Sequence, residues 1–444
     1  MKQIILSILI TLSEIFATAQ MEGPRPSANY EAANWKPKLL DNPQQITMLA
    51  PPAAAQSQVE LQTIKQKMGN LDEKKIAAIK YWNAGAPAYR WNQIAPKLHS
   101  WEKLDVIIRT PSSWMNIAIY DATILAWKEK VKYKRKRPQV VDPSLKPSIN
   151  SPLTFSYPCE HSVTAAAAAT VLAYFFPEKA DSILRLAQAA SQSRIDAGVQ
   201  FPSDVEAGWK LGEQVAKLII EKAKKDGSDK VWDGSMNKDP KKWTGAFPLG
   251  ITLPLFSTLV LRSADQFRPL PPPDFESEMK EMKNFKKNFR STSLAYYWAN
   301  SGFELWSDLA SQKMFEYRMS DDAPAVARIY AVLQTASHDA AIAIMDAKYA
   351  YWGIRPSQYD TTYKPLLQTP PFPGYPSGHA AGAATSSAVL GYFFPADAKQ
   401  FQKIAQDCAD SRFYAGIHFR SDNETGLQMG KELGRYIVET WMKK

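Results

Sequence analysis

Three short segments near the C-terminal end of this 444-residue chain gather cationic and histidine side chains of the kind that surround a tetrahedral oxyanion. In KYAYWGIRP, Lys348 and Arg355 stand seven residues apart, about 10 Å along a helix, so a single helix would aim both heads at one ligand. In PSGH, Ser377, Gly378 and His379 open an alanine-rich run. A helix N-terminus there offers free amide N–H groups and the positive end of its dipole to an anion, and Gly378 lets the backbone come close. In SRFYAGIHFRSD, Arg412 is a bidentate donor. His418 and Asp422 lie four apart, on one face of a helix, where the carboxylate can fix the tautomer of the imidazole.

The elements that must hold these groups read as helices. From 58 to 225 and again from 291 to 444, apolar residues recur at spacings of three and four, and no alternating strand pattern competes. An all-α fold is therefore expected. Residues 226–290 between these halves are polar and then proline-rich, a long connection. Residues 1–19 have the charge, apolar run and small-residue end of a signal peptide cut after Ala19, and 20–57 form a Pro-rich N-terminal arm. No later uncharged stretch of about 20 residues follows, so the expectation is an exported protein, periplasmic or secreted, with no membrane span after signal cleavage.

With 45% hydrophobic residues the chain can bury a large core, and its net charge of +10 favours anionic ligands. The densest basic run, KEKVKYKRKR from Lys128 to Arg137, lacks interleaved aromatics beyond Tyr133. It reads as a solvated helix end and loop, and no nucleic-acid partner is expected. Cys159 and Cys408 could pair in an oxidising compartment, though nothing requires it. His338 lies about 100° around the helix from Lys348 and reads as structural. His99 has no partner nearby in sequence.

The two helical halves are copies. A shift of 218 residues aligns Tyr157–Ala216 with Tyr375–Gly434 without a gap, and 24 of 60 positions are identical. Two helical bundles from an internal duplication follow. Pro158, His161, Ser193, Arg194 and Asp204 match Pro376, His379, Ser411, Arg412 and Asp422. Read through the phrase IYDATILAW, Thr123 falls opposite Lys348; Gln200 falls opposite His418, and Cys159-Glu160 opposite Ser377-Gly378. The first half is thus expected to be a degenerate, structural copy.

In the second half the whole pattern K-x6-R-P, P-S-G-H, S-R-x5-H-x3-D is present. It resembles the superfamily shared by type 2 phosphatidic acid phosphatases (PAP2), bacterial non-specific acid phosphatases and vanadium-dependent haloperoxidases. TPPFPGYPSGHA, SRFYAGIHFRSD and the phrase ADQFRPLPPP look most like the soluble haloperoxidase members. For that branch the resemblance implies vanadate as cofactor, held by His418 as its only protein ligand. Lys348, Arg355, Ser377, Gly378 and Arg412 would bind its oxygens, and His379, Lys348 and Asp422 would assist catalysis. Phe372 would line the halide pocket. Substrates would be hydrogen peroxide and a halide, iodide or bromide, because the carboxylate that steadies the PSGH histidine in some chloroperoxidases falls on Asn300 or Ser301 here.

The same resemblance admits a cofactor-free phosphatase of phosphate esters, in which His418 forms a phosphohistidine and His379 serves the leaving group and the water. A protein that merely binds phosphate is a third reading. It would need the cations but not an oriented acid opposite a nucleophile.

Overall fold

The computed structural model describes residues 28–98, 110–300 and 304–443. The expected signal segment 1–19 and His99 lie outside them. The helices in chain order are α1 (Ala54–Gly69), α2 (Glu73–Trp82), α3 (Ala88–Leu98), α4 (Thr110–Tyr133), α5 (Pro138–Val141), α6 (Glu160–Phe175), α7 (Ala180–Asp196) and α8 (Pro202–Ala223). They continue with α9 (Glu276–Asn284), α10 (Phe289–Asn300), α11 (Glu304–Glu316), α12 (Ala323–Tyr351), α13 (Pro356–Tyr359), α14 (Gly378–Phe393), α15 (Ala398–Tyr414) and α16 (Arg420–Met442). There is no strand among the described residues. The series α4 to α8 repeats as α12 to α16, so the duplication seen in the residues is a duplication of helices.

Two long helices form the centre. Every residue of α4 from Ser112 to Trp127 is buried, and α12 is nearly as enclosed. Helices that are apolar on all sides belong in an interior. They pack on each other, and Ser113 Oγ on α4 donates to the Gln334 carbonyl on α12 at 2.8 Å. One apolar core runs through both bundles.

A buried carboxylate at the same place in each half ties down the chain outside the bundle. Asp121 on α4 accepts the N–H groups of Lys38, Leu39 and Leu40 at 2.6, 3.0 and 2.9 Å. Asp339 on α12 accepts those of Leu259, Val260 and Leu261 at 2.7, 2.8 and 2.9 Å. Each carboxylate satisfies three amides that burial would otherwise leave without partners. The described part of the arm is therefore packed on the body.

Glycine sets the closest helix contact. On α16, a Cβ at Gly430 would lie 2.0 Å from the Ala381 carbonyl oxygen of α14, and one at Gly426 would lie 2.6 Å from that of Ser377. On α8, Gly208 and Gly212 stand in the same relation to Cys159 and Val163. The helix bearing Asp422 is thus drawn onto the helix that begins at Ser377. Gly430→Ala is expected to force them apart and cost on the order of 3 kcal/mol, read as a lower urea midpoint. An unchanged midpoint would show that the contact is looser than it looks.

Candidate active site

The ends of five helices deliver the second-half groups to one place. Lys348 sits in the last turn of α12, which Trp352 stops in the left-handed conformation (φ 53°, ψ 41°). Arg355 therefore does not share a helix with Lys348. It stands in extended backbone as the residue before α13, where Pro356 disfavours helical geometry for its predecessor. The two cations converge because the chain turns between them. Ser377 caps α14, so Gly378 and His379 occupy its first turn as expected. Arg412 lies in the last turn of α15.

His418 also departs from the helical reading. α16 starts at Arg420, so His418 precedes the helix and does not share a helical face with Asp422. Asp422, in the first turn, reaches back instead. Its Oδ2 accepts from the Phe419 N–H at 3.1 Å and meets His418 Nδ1 at 3.0 Å. A helix N-terminal cap thereby becomes the device that orients the imidazole.

Lys348, Arg355, Arg412, His418 and Asp422 are each at most 2% exposed. Lys348 Nζ donates to the carbonyls of Pro373 and Gly374 at 2.7 and 2.8 Å. Arg355 donates from Nε to the Phe372 carbonyl at 3.1 Å, and from Nη1 to the Ile417 carbonyl at 2.7 Å and His418 Nε2 at 3.0 Å. His418 thus carries its proton on Nδ1, facing Asp422, and its lone pair on Nε2 among the cations. The Phe372 ring lies 5.1 Å from Lys348 Nζ and 5.2 Å from Arg355 Cζ. Arg412 is anchored by Ser411 Oγ and the Ala295 carbonyl.

The charges act on one another. Burial, then Arg412, Lys348 and Arg355, push His379 down to about 3, while a hydrogen bond with the Trp298 backbone works the other way. Burial and the same cations hold His418 well below the usual histidine range, so both imidazoles are neutral near pH 7. Burial lowers Lys348, and the neighbouring Arg355 lowers it further. Burial raises Asp422 to about 7 against the pull of Lys348 and Arg355. A site with such an excess of buried positive charge favours an anion. Among the described residues no cluster of three or more His, Cys, Asp or Glu is placed to hold a metal cation.

The first half corrects the sequence reading. The residue that matches Lys348 under the 218-residue shift is Lys130, not Thr123, and K-x6-R-P is intact there as Lys130, Arg137 and Pro138. These two are no part of a solvated basic run, since Lys130 is 0% and Arg137 3% exposed. Lys130 Nζ donates to the carbonyls of Phe155 and Pro158 at 2.6 and 2.7 Å; Arg137 donates from Nε to that of Thr154 at 2.7 Å and from Nη1 to that of Val199 at 3.1 Å. Thr154, Phe155 and Val199 are the counterparts of Phe372, Pro373 and Ile417. The signal was in the chain, because one uninterrupted shift reaches back to Asp121 and Asp339.

The two cradles differ in what fills them. In the first, the Glu160 carboxylate meets Lys130 Nζ at 2.8 Å, Arg137 Nη2 at 2.8 Å and Gln200 Nε2 at 3.3 Å. Those donors match Lys348, Arg355 and His418. In the second, Gly378 stands where Glu160 does, and Arg355 Nη2 is buried without a partner. Arg194 holds Asn83 and the Ile79 carbonyl, and Asp204 pairs with Arg135 at 2.5 Å.

The remaining candidates lie elsewhere. His338 is buried beside the Ser257 carbonyl at 3.2 Å, a structural position. Cys159 and Cys408 are both buried and free, so they do not pair. The Asn300 side chain and Ser301 fall outside the described residues. The contact of His379 with the Trp298 backbone left no sequence signal, because a main-chain group has none.

Residues 114–227 match the family model of the PAP2 superfamily, and residues 357–444 match that of the VCPO second helical-bundle domain. A solved bacterial vanadium-dependent iodoperoxidase superposes with a TM-score of 0.57 at 20% identity, over 88% of this chain and 98% of that one. The holo form of a bacterial vanadium-dependent chloroperoxidase gives 0.57 at 15% identity, over 76% and 92%. An apo form of a bacterial vanadium-dependent chloroperoxidase gives 0.57 at 14% identity, over 75% and 92%. At these identities the structural likeness is one of fold. No curated protein matches the chain in sequence. No described helix is long and apolar enough to cross a membrane.

Proposed function

The chain belongs to the superfamily that joins PAP2 phosphatases to vanadium haloperoxidases, and on that premise we propose that it is a vanadate-dependent haloperoxidase oxidising iodide or bromide with hydrogen peroxide. The observation that carries the reading is Arg355 Nη2. This buried, unpartnered donor is the counterpart of the Arg137 atom that holds a carboxylate in the first half. An oxyanion in the second half would take the place Glu160 takes in the first, and these residues fit vanadate in charge and donor set.

Bound vanadate would supply a Lewis-acidic centre that activates peroxide toward halide with no change in its own oxidation state. His418 would hold it through Nε2, the nitrogen whose lone pair Asp422 preserves by keeping the proton on Nδ1. Lys348, Arg355, Arg412 and the Gly378 N–H would balance the charge of its oxygens, with Ser377 capping the helix that presents Gly378. Neutral His379 would accept the proton that peroxide gives up. The Phe372 ring would furnish an apolar wall against which a halide loses water. Export after removal of residues 1–19 belongs to the same reading.

One observation favours a second reading. The PAP2 match lies on residues 114–227, and a lone pair on His418 Nε2 amid buried cations equally suits attack on a phosphate ester. The assay that separates them compares peroxide-dependent oxidation of iodide and bromide by vanadate-loaded protein with hydrolysis of a chromogenic phosphate ester without vanadate. Vanadate-dependent oxidation exceeding ester turnover is expected. Ester turnover with no halide oxidation at any pH would replace the first reading by the second.

A further inference from the structure

The first bundle holds a cluster of buried charge for which the reaction has no use. Lys130, Arg137 and Gln200 converge on the Glu160 carboxylate at 2.8, 2.8 and 3.3 Å. Buried Arg194 and half-buried His161 stand beside it, the counterparts of Arg412 and His379, and both His161 ring nitrogens are buried without a hydrogen-bond partner. The backbone anchors of the two cations include the counterparts of those of Lys348 and Arg355, with the Ser156 carbonyl 3.4 Å from Lys130 Nζ, and Lys130 adds the Pro158 carbonyl. A cavity of about 210 Å³, lined among others by Asn83, Asn150, Thr154 and Asp321, reaches Glu160 and His161. An approach to this place therefore survives.

Buried Lys and Arg need a counter-charge, since desolvation of an unpaired cation costs several kcal/mol. In a cradle built for an external anion that charge would come from the ligand. Here it comes from the side chain at the first position of α6, the position Gly378 holds at the start of α14. We infer that the first bundle retains a binding site for a tetrahedral oxyanion of the phosphate class, kept shut by Glu160, whose carboxylate serves as a built-in substitute for the ligand. The same substitution accounts for a bundle that keeps its cations without needing an anion to stay folded. The inference concerns anion binding alone and does not depend on which reaction the second bundle performs.

The test is to count bound anions. Inorganic phosphate and vanadate are titrated by calorimetry into the parent protein, Glu160→Gly and Glu160→Gln, with thermal unfolding measured with and without millimolar phosphate. Glu160→Gly recreates the second-half sequence at this position. It is expected to bind one more equivalent of anion than the parent, and phosphate is expected to raise its Tm by several degrees more than the parent's. Adding Lys130→Met to Glu160→Gly should remove the extra equivalent.

Glu160→Gln keeps the side-chain volume but leaves Lys130 and Arg137 without a counter-charge. If Glu160→Gly does not fold without anion, folding restored by phosphate, or a phosphate-dependent Tm rise in Glu160→Gln beyond the parent's, carries the inference. A folded Glu160→Gly with the parent's stoichiometry and the parent's response to phosphate overturns it. So does collapse of both variants whether phosphate is present or not, because then no external anion can replace the carboxylate.

Discussion

His418→Ala is expected to reduce turnover at least about a thousandfold, the scale of losing a nucleophile or the sole ligand of a reactive group. The loss falls on the chemistry and not on the fold. His418 lies before α16, and its contacts are Asp422 on one nitrogen and Arg355 on the other. Arg355 keeps its bonds to the Phe372 and Ile417 carbonyls when the ring is removed, so the cation cluster should persist. Unfolding curves like the parent's beside abolished halide oxidation would meet the expectation. Vanadate affinity would separate the two chemistries further, since a ligand's removal weakens it sharply. Turnover within tenfold of the parent, in both the halide and the ester assay, would remove His418 from the centre of either mechanism.

Asp422→Asn is expected to lower kcat by about 10²- to 10⁴-fold while leaving the protein folded, by analogy with other oriented histidines that lose their carboxylate. Asp422 Oδ2 receives both the Phe419 N–H and the His418 Nδ1 proton, and Oδ1 has no partner. An asparagine can still accept the amide through its oxygen, which preserves the start of α16. It cannot at the same time hold the imidazole proton on Nδ1 with the same strength, so the lone pair is no longer committed to Nε2. Steady-state kinetics beside circular dichroism decide it. A variant as active as the parent would show that Arg355 alone sets the tautomer.

The pairing of His418 with Asp422 shows both the reach and the limit of residue spacing. Four residues apart suggested one helical face, and the contact forms, yet through a helix cap that starts after the histidine. Lys348 and Arg355 repeat the lesson. They share a site, but a left-handed Trp352 and a proline-directed extended Arg355 bring them together rather than one continuous helix. Short-range spacing reported that the groups meet and was silent about the turn that makes them meet. The reading of the basic run at 128–137 as solvated holds for Lys128, Lys132, Lys134 and Lys136 and fails at Lys130 and Arg137, for a different reason. Charge density along the chain says nothing about burial, and Lys130 and Arg137 are buried because carbonyls and a carboxylate 17 to 62 residues away receive them.

By itself the sequence determined the helices, the duplication and the residue types that meet in one buried, cation-rich cradle. Helical periodicity, glycine and proline punctuation and an ungapped repeat are properties read directly from the chain. Only the tertiary structure decided that the first half is a matching cradle filled by its own Glu160, and that the second presents an unpartnered Arg355 donor. That difference rests on which donors converge on one point in space, and convergence among residues 23 to 63 positions apart is set by helix packing, not by any neighbouring pair in the sequence.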